Sequence, residues 1–326
     1  MKYSIGIELG VKNIVAGILD KNGKLLRRDT IPTNKDREFE EIIRDMCALV
    51  SKILSDEDLE IKNVRYIGVG CPGITDNFNG IVLKNYTMNL SNANVRAEIQ
   101  KYFNVPVYVE NDANCVAIAE YLLGAAYGTG NSLTVKVGVG IGGGIILEGC
   151  IYNGLNFGGT EFGHMVIDFN GRPCICGRKG CWEQYASASA LINQTKQLIE
   201  KYPDSILANI ASNCCNNQIT ELTIFEAAKA GDEMAKQVCR EYVIYFAEGL
   251  ANIVNILMPE VVILAGPISK LGNSLVYPLV DLLREKIYCK ELHIPEFKMA
   301  EMGNAGIIVG AAMLGAFKDE KLSDLI

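Results

Sequence analysis

One histidine and three cysteines, His164, Cys174, Cys176 and Cys181, stand at spacings that let a single metal ion collect all four side chains. Zinc takes four nitrogen or sulfur ligands at tetrahedral angles. A Cys-x-Cys pair with a third Cys close behind supplies three thiolates, and the imidazole supplies the fourth bond. Gly171, Gly177 and Gly180 lie among these residues and permit the positive backbone angles of a short chelating loop. The alternative is three buried structural cysteines. A structural Zn2+ site is the expectation.

Asp112 is the second residue whose position could do chemistry. It follows an apolar run at 105–109 that reads as a strand and opens a segment at 113–123 that reads as a helix, and ligands of open α/β sheets bind at such strand ends. Two roles suit a carboxylate there: a general base aimed into a cleft, or the N-cap of the helix. Position alone leaves both open. Trp182, the only tryptophan, is expected to pack in the core.

The elements that must hold these residues follow from periodicity. Residues 3–9, 13–20 and 25–31 read as three short strands, the last two joined by the hairpin signal Lys21-Asn22-Gly23-Lys24. Residues 38–55 carry Phe39, Ile42, Ile43, Met46, Leu49, Val50 and Ile53 at helical spacing, which suits a helix over one face of that sheet. Residues 64–70 form another expected strand. A second glycine-rich unit starts with a strand at 132–137, a loop at 138–144 and a strand at 145–147. Residues 223–258 are helical with a break near Gly231-Asp232, Pro259 ends them, and a strand follows at 261–264. A Gly/Ala-rich helix at 305–318 is expected to pack back on the first lobe. Two meanders, each followed by helices, point to a pair of related α/β lobes.

At 326 residues the chain exceeds one ordinary hydrophobic core, so two domains are expected. Its net charge of −7, spread along the sequence, argues against nucleic acid or an anionic membrane surface as partner, since both call for a basic face. The longest apolar stretch, near 253–268, is interrupted by Asn255, Pro259 and Glu260 and is too broken to span a bilayer. Eleven cysteines, an odd number, follow no recognisable signal peptide and read as reduced thiols of a cytoplasmic protein.

Glu161-Phe162-Gly163-His164 and the run from Cys174 to Glu183 resemble the zinc motif of the ROK family of sugar kinases and sugar-responsive repressors, G-H-x-V and then C-x-C-G-x-x-G-C-x-E. Val109-Glu110-Asn111-Asp112-Ala113-Asn114 resembles its catalytic strand end, Gly70-Cys71-Pro72-Gly73 its sugar-side loop, and 138–144 its second phosphate loop. The resemblance runs nearly the whole length. It implies an α/β, two-lobed actin-like (ribonuclease H-like) fold, with 1–116 plus 306–326 as the smaller lobe and 117–305 as the larger one carrying the zinc site and a homodimer surface. It implies an ATP-dependent hexose or N-acetylhexosamine kinase with Asp112 as base, which shifts the balance between base and cap. Gly73, Asn89, Asn111, Glu161, His164 and Glu183 would bind the sugar, zinc would fix His164 and Glu183 together, and Mg2+ would accompany ATP. The family's repressor branch carries a helix-turn-helix before the first strand, whereas this sequence starts on that strand, so a DNA-binding role is not expected.

The phosphate side departs from the family pattern. Glu8, Gly10 and Lys12 stand where D-x-G-G-T-K is usual; Glu8 keeps a carboxylate for Mg2+, and Lys12 is either a phosphate contact or a turn lysine. Val139 replaces a threonine between Gly138 and Gly140, a loss on the order of 1.5–3 kcal/mol if its hydroxyl met a charged phosphate. Gly266 is left in Leu264-Ala265-Gly266-Pro267, where a run of glycines is usual, and Thr160 replaces a glycine before Glu161. Backbone N–H groups at Gly10, Gly138, Gly140 and Gly266 are expected to serve the phosphates instead. The competing expectation is a sugar-binding sensor that has lost catalysis.

Overall fold

The structure, a computed structural model, describes residues 2–214, 219–292 and 294–318; Cys215 and the expected lobe segment beyond 318 lie outside them. The described chain divides into two compact units. One comprises residues within 1–131, 144–160 and 301–326, the other 132–143 and 161–300.

The first unit opens with β1 (Tyr3–Leu9), β2 (Asn13–Leu19), β3 (Leu25–Pro32), α1 (Phe39–Asp56) and β4 (Val64–Cys71). There follow β5 (Ile74–Asp76), β6 (Ile81–Asn85), β7 (Leu90–Ala93), α2 (Val95–Gln100), β8 (Val107–Asn111) and α3 (Asp112–Leu123). Its main sheet has the order β3-β2-β1-β4-β8, while β5, β6 and β7 make a separate sheet. The pairs β1–β2 and β2–β3 are antiparallel; β1–β4 and β4–β8 are parallel. Strand β3 is the edge: its residues alternate half-buried and exposed, as one covered face requires. Helix α1 buries the expected stripe of Ile42, Ile43, Met46, Leu49, Val50 and Ile53 toward β2 and β3.

The last helix, Gly306–Lys318, lies on the other side with α3, against β1 and β4. It comes so close that a Cβ at Gly68 would stand 1.8 Å from the Ala311 carbonyl oxygen. A methyl group there cannot be accommodated without moving the helix. The boundary expected at 116 would cut α3 inside its hydrogen-bonded ladder; the whole of α3 belongs to the first unit, which the chain re-enters at 144 and 301 rather than 306.

The second unit's sheet has the order β11-β10-β9-β12-β13. It comprises β9 (Ser132–Val137), β10 (Ile141–Leu147), β11 (Cys150–Ile151), β12 (Val261–Ala265) and β13 (Glu296–Met299), and the chain changes unit within β10. The parallel pairs are β9–β12 and β12–β13. The path repeats the order of the first sheet, third-second-first-fourth-fifth, which is the ribonuclease H-like order of the actin-like fold. Helices α4 (Glu183–Ala186), α5 (Ala188–Lys201), α6 (Ile206–Ser212), α7 (Thr223–Lys229), α8 (Glu233–Leu257) and α9 (Asn273–Lys286) complete the unit, and the last helix is α10. The α7–α8 break at Gly231-Asp232 falls where expected, with Asp232 capping α8 through Ala235 N–H.

The loop expected at 138–144 is shorter than its glycines imply. Strand β10 already begins at Ile141. A Cβ at Gly143 would lie 1.9 Å from the Thr134 carbonyl oxygen, so this glycine serves close packing within a strand rather than a flexible turn. Trp182 is fully buried, with its ring 5.4 Å from Phe246 and its indole N–H donating to the Tyr245 carbonyl, as core packing predicts. Among the described residues no helix is long and apolar enough to cross a membrane.

Candidate active site and metal knuckle

In the first unit the strand end and the sugar-side loop are tied by one side chain. Asn111 ends β8, and its Oδ1 accepts from the N–H groups of Ala113 and Asn114, so Asn111 is the N-cap of α3 and Asp112 is the first helical residue. The capping alternative for Asp112 therefore falls to its neighbour. Asn111 Nδ2 donates to the Gly73 carbonyl at 3.0 Å, which brings Gly73, Asn111 and Asp112 together. Gly73 has φ of 101° and a Cβ there would meet the Lys84 carbonyl at 2.4 Å, so glycine is required. Asn89 is exposed and left-handed in the turn between β6 and β7.

Beneath these residues lies a buried polar layer that the sequence did not single out. Glu110, 1% exposed, accepts from Asn77 Nδ2 at 2.6 Å, from the Asn111 N–H at 2.9 Å and from Asn114 Nδ2 at 3.1 Å. Asn114 Nδ2 also donates to Asn153 Oδ1 at 2.6 Å. Asn85, 3% exposed, donates to the Pro72 carbonyl and accepts from the Thr87 and Met88 N–H groups, which holds the Asn89 turn to the Gly73 loop. The available signal was the charged Glu110 inside an otherwise apolar strand: a carboxylate in such a place must find donors.

Glu8, Gly10 and Lys12 occupy the end of β1 and its turn into β2. The Gly10 N–H donates to the Asn13 carbonyl, and Thr33 anchors the turn by donating from its hydroxyl to the Gly10 carbonyl and from its N–H to the Lys12 carbonyl. Lys12 is exposed. The donor expected at Gly10 for a phosphate is thus engaged within the turn.

In the second unit the four expected metal ligands do converge. The ligating atoms of His164, Cys174, Cys176 and Cys181 all lie within 4.8 Å of one another. Cys174 Sγ is 3.6 Å from His164 Nδ1, and Cys176 Sγ is 3.5 Å from Cys181 Sγ. A zinc tetrahedron with bonds of ~2.3 Å has edges of ~3.8 Å, so the cage has the right size for zinc. Isolated bridges Val166–Cys181 and Pro173–Lys179 brace it, and Gly177 and Gly180 take positive φ. Burial pushes the Cys181 thiol up to about 12 and raises Cys174, while the Arg178 N–H holds exposed Cys176 below its ordinary value. A metal entering the cage must displace protons held mainly by the two buried thiols.

Glu161 and His164 share one turn, the His164 N–H donating to the Glu161 carbonyl. Glu183 opens α4 beside the cage, its Oε1 3.3 Å from Cys174 Sγ and 3.5 Å from His164 Nδ1. The other carboxylate oxygen faces the glycine turn, since a Cβ at Gly140 would lie 2.5 Å from Glu183 Oε2. Gly266, at φ 88°, packs so closely on Val137 that a Cβ would meet its carbonyl at 2.1 Å, which sets Gly266 beside Gly138. The Gly138 N–H donates to the Gly140 carbonyl, so this donor too is engaged internally, and Val139 between them is 87% exposed.

A family model for the ROK family matches residues 4–317. A glucokinase of Thermotoga maritima is 31% identical over 96% of this chain and 95% of its own length. A xylose repressor of Bacillus subtilis is 32% identical over 96% of this chain and 76% of its own. Among solved structures, a ROK family glucokinase from Streptomyces griseus in complex with glucose and AMPPNP superposes with a TM-score of 0.82 at 30% identity, covering 96% of this chain and 98% of that one. The family match spans both units, the metal knuckle and the Asn111-Asp112 strand end included: the chain belongs to the ROK family.

Proposed function

We propose that the protein is an ATP-dependent sugar kinase that phosphorylates a hydroxyl of glucose or a related hexose or N-acetylhexosamine. The observation that carries the reading is the division of labour at the head of α3, where Asn111 takes the cap and the sugar-loop tether. Asp112, the first helical residue, is in this reading the carboxylate that accepts a proton from the attacking hydroxyl. In this reading Gly73, Asn89, Asn111, Glu161, His164 and Glu183 are the residues that contact the sugar. Zinc in the Cys3His cage holds His164 and Glu183 in register, as its geometry allows. ATP brings Mg2+, for which Glu8 is the carboxylate on the first unit, and the transfer itself needs positioning and charge neutralisation more than covalent chemistry. Among the described residues no two cysteines form a disulfide, which suits work in the reducing cytoplasm.

A coupled assay over a hexose panel with ATP and Mg2+, using zinc-loaded protein, is expected to show turnover with at least one sugar. Asp112→Asn should then lower kcat about 10²–10⁴-fold while leaving sugar affinity within a factor of a few. An active Asp112→Asn protein would remove the base.

A second reading, a sugar-binding regulator without turnover, has its own support. The Gly10 and Gly138 donors are engaged inside their own turns, Val139 offers no hydroxyl, and the relatives include xylose repressors. Calorimetry with a non-hydrolysable ATP analogue separates the two. Tight Mg2+-dependent binding favours the kinase; sugar binding without nucleotide binding favours the regulator.

A further inference from the structure

The first unit contains a concavity of about 780 Å3, and none of the sugar, phosphate or metal residues named above lines it. It opens beside β8, the edge strand opposite β3 in the main sheet. Two cations enter it, Arg96 from α2 and Lys318 from the end of α10, both half-buried. Both are turned on one neutral acceptor: Arg96 Nη2 donates to the Asn77 carbonyl at 3.1 Å and Lys318 Nζ to the same oxygen at 3.2 Å. Arg96 also donates from Nε to the Val107 carbonyl and from Nη1 to that of Phe78. The guanidinium is therefore fixed in place by backbone alone.

Among the described residues neither cation forms an ion pair. The two carboxylates in the neighbourhood are occupied elsewhere, Glu110 by Asn77, Asn111 and Asn114, and Asp76 by Phe78 and Asn79. Burial lowers the Lys318 ammonium from its ordinary value, with Glu110 acting in the opposite direction and Arg96 reinforcing the loss. Two partly desolvated like charges around one carbonyl are costly unless an anion joins them. The wall opposite is aromatic: the rings of Phe78 and Phe157 lie 6.0 Å apart, and Phe78 is 79% exposed. Phe157 reaches this wall in a left-handed conformation, a strained arrangement for an aromatic residue.

We propose that this concavity is a second ligand site, for a small phosphomonoester whose phosphate sits between Arg96 and Lys318 and whose body lies against Phe78 and Phe157. A phosphate dianion suits a fixed guanidinium fork beside an ammonium, and the open aromatic faces suit the C–H surface of a sugar ring or another flat carbon body. The site also has a route to the head of α3. Asn77 offers its carbonyl to both cations and its side-chain amide to Glu110, and Glu110 accepts the Asn111 N–H. An anion that draws Arg96 and Lys318 away from Asn77 changes the support beneath Asn111, so occupancy is expected to alter the sugar affinity of the same unit.

Calorimetry without ATP tests this independently of any phosphotransfer, with glucose 6-phosphate and inorganic phosphate as probes and saturating glucose present. Glucose 6-phosphate is expected to bind the wild-type protein, more weakly as salt rises. The affinity should fall tenfold or more in Lys318→Met and in Gln100→Glu, which adds a repelling charge on the exposed rim. Glucose titrated alone should bind Gln100→Glu as it binds wild type, and a melting curve close to that of wild type shows Lys318→Met to be folded. Phe78→Ala is expected to weaken glucose 6-phosphate but not inorganic phosphate. Unchanged glucose 6-phosphate affinity in both charge variants, or no binding at all under saturating glucose, overturns the site. Equal effects of Phe78→Ala on both probes overturn the aromatic half of the assignment.

Discussion

Asn111 and Asp112 are adjacent in sequence and separated in task. The amide of Asn111 is suited to its place because it both accepts and donates: its oxygen caps α3 and its nitrogen holds the Gly73 carbonyl. Aspartate in the same position keeps the cap and loses the donor; alanine loses both. Asn111→Ala should therefore lose about 1 kcal/mol of stability, a shift of about 2–4 °C in melting temperature. Asn111→Asp should melt close to wild type yet bind sugar more weakly, because the Gly73 loop is untethered and now faces a carboxylate. Melting curves and sugar titrations on both variants check this. If Asn111→Asp binds sugar as wild type does, the tether is not part of the site.

The knuckle of residues 164–183 works as an element, since its ligands, its glycines and Glu183 are meaningful only together. Its pH response follows from the thiols. With Cys181 pushed up to about 12 and Cys174 also raised, the metal-free cage holds these protons at neutral pH and must release them to bind zinc. Each released proton makes the apparent affinity rise about tenfold per pH unit, so two give about a hundredfold. Competition against a chromophoric chelator between pH 6.5 and 8 should show zinc affinity climbing with pH; a flat profile would mean that the thiols are already ionised. Stripping the metal should weaken sugar binding before it unfolds the second unit, because His164 and Glu183 stand on the same loop.

The convergence of His164 with Cys174, Cys176 and Cys181 was legible in the sequence, since a chelating loop calls for residue types and spacings that little else demands. The strands and helices of the first unit were legible for a similar reason, their burial following the 2- and 3.6-residue periods. What escaped were the features set by long-range neighbours. The glycines at 143 and 144 look like a loop until the backbone of Thr134 and the side chains of Ala117 and Asn114 are seen against them. Gly10 and Gly138 look like phosphate donors until their turns close on Asn13 and Gly140. Asn77, Glu110 and Asn153 come from three separate stretches of chain, joined through Asn114, and no local pattern announces that they meet.

At the scale of the whole molecule, two sheets of the same strand order bury ionisable groups in both units, and these set an alkaline limit on stability. Burial raises the thiols of Cys47 and Cys239 to about 12 and that of Cys71 further, and it raises the Tyr242 hydroxyl. Cys47 lies in α1, Cys71 at the end of β4, and Cys239 and Tyr242 in α8, so neither unit is spared. The sign follows from proton counting. In the unfolded chain a thiol ionises near 9, whereas in the fold it stays protonated; the unfolded state therefore binds fewer protons above pH 9, and the stability present below that point declines as pH rises toward the folded value. A fully buried thiol such as Cys71 contributes a slope of up to about 1.4 kcal/mol per pH unit, and half-exposed Cys239 less. Zinc affinity climbs over the same interval, so the two effects oppose each other in the loaded protein and separate on chelation. Urea melts of the metal-free protein at pH 8 and pH 10 should show a lower midpoint at pH 10. Cys47→Ala should reduce the difference between the two midpoints even though it lowers both by leaving a small cavity. An unchanged difference in that variant would mean that Cys47 is solvated in the folded state and plays no part in the alkaline limit.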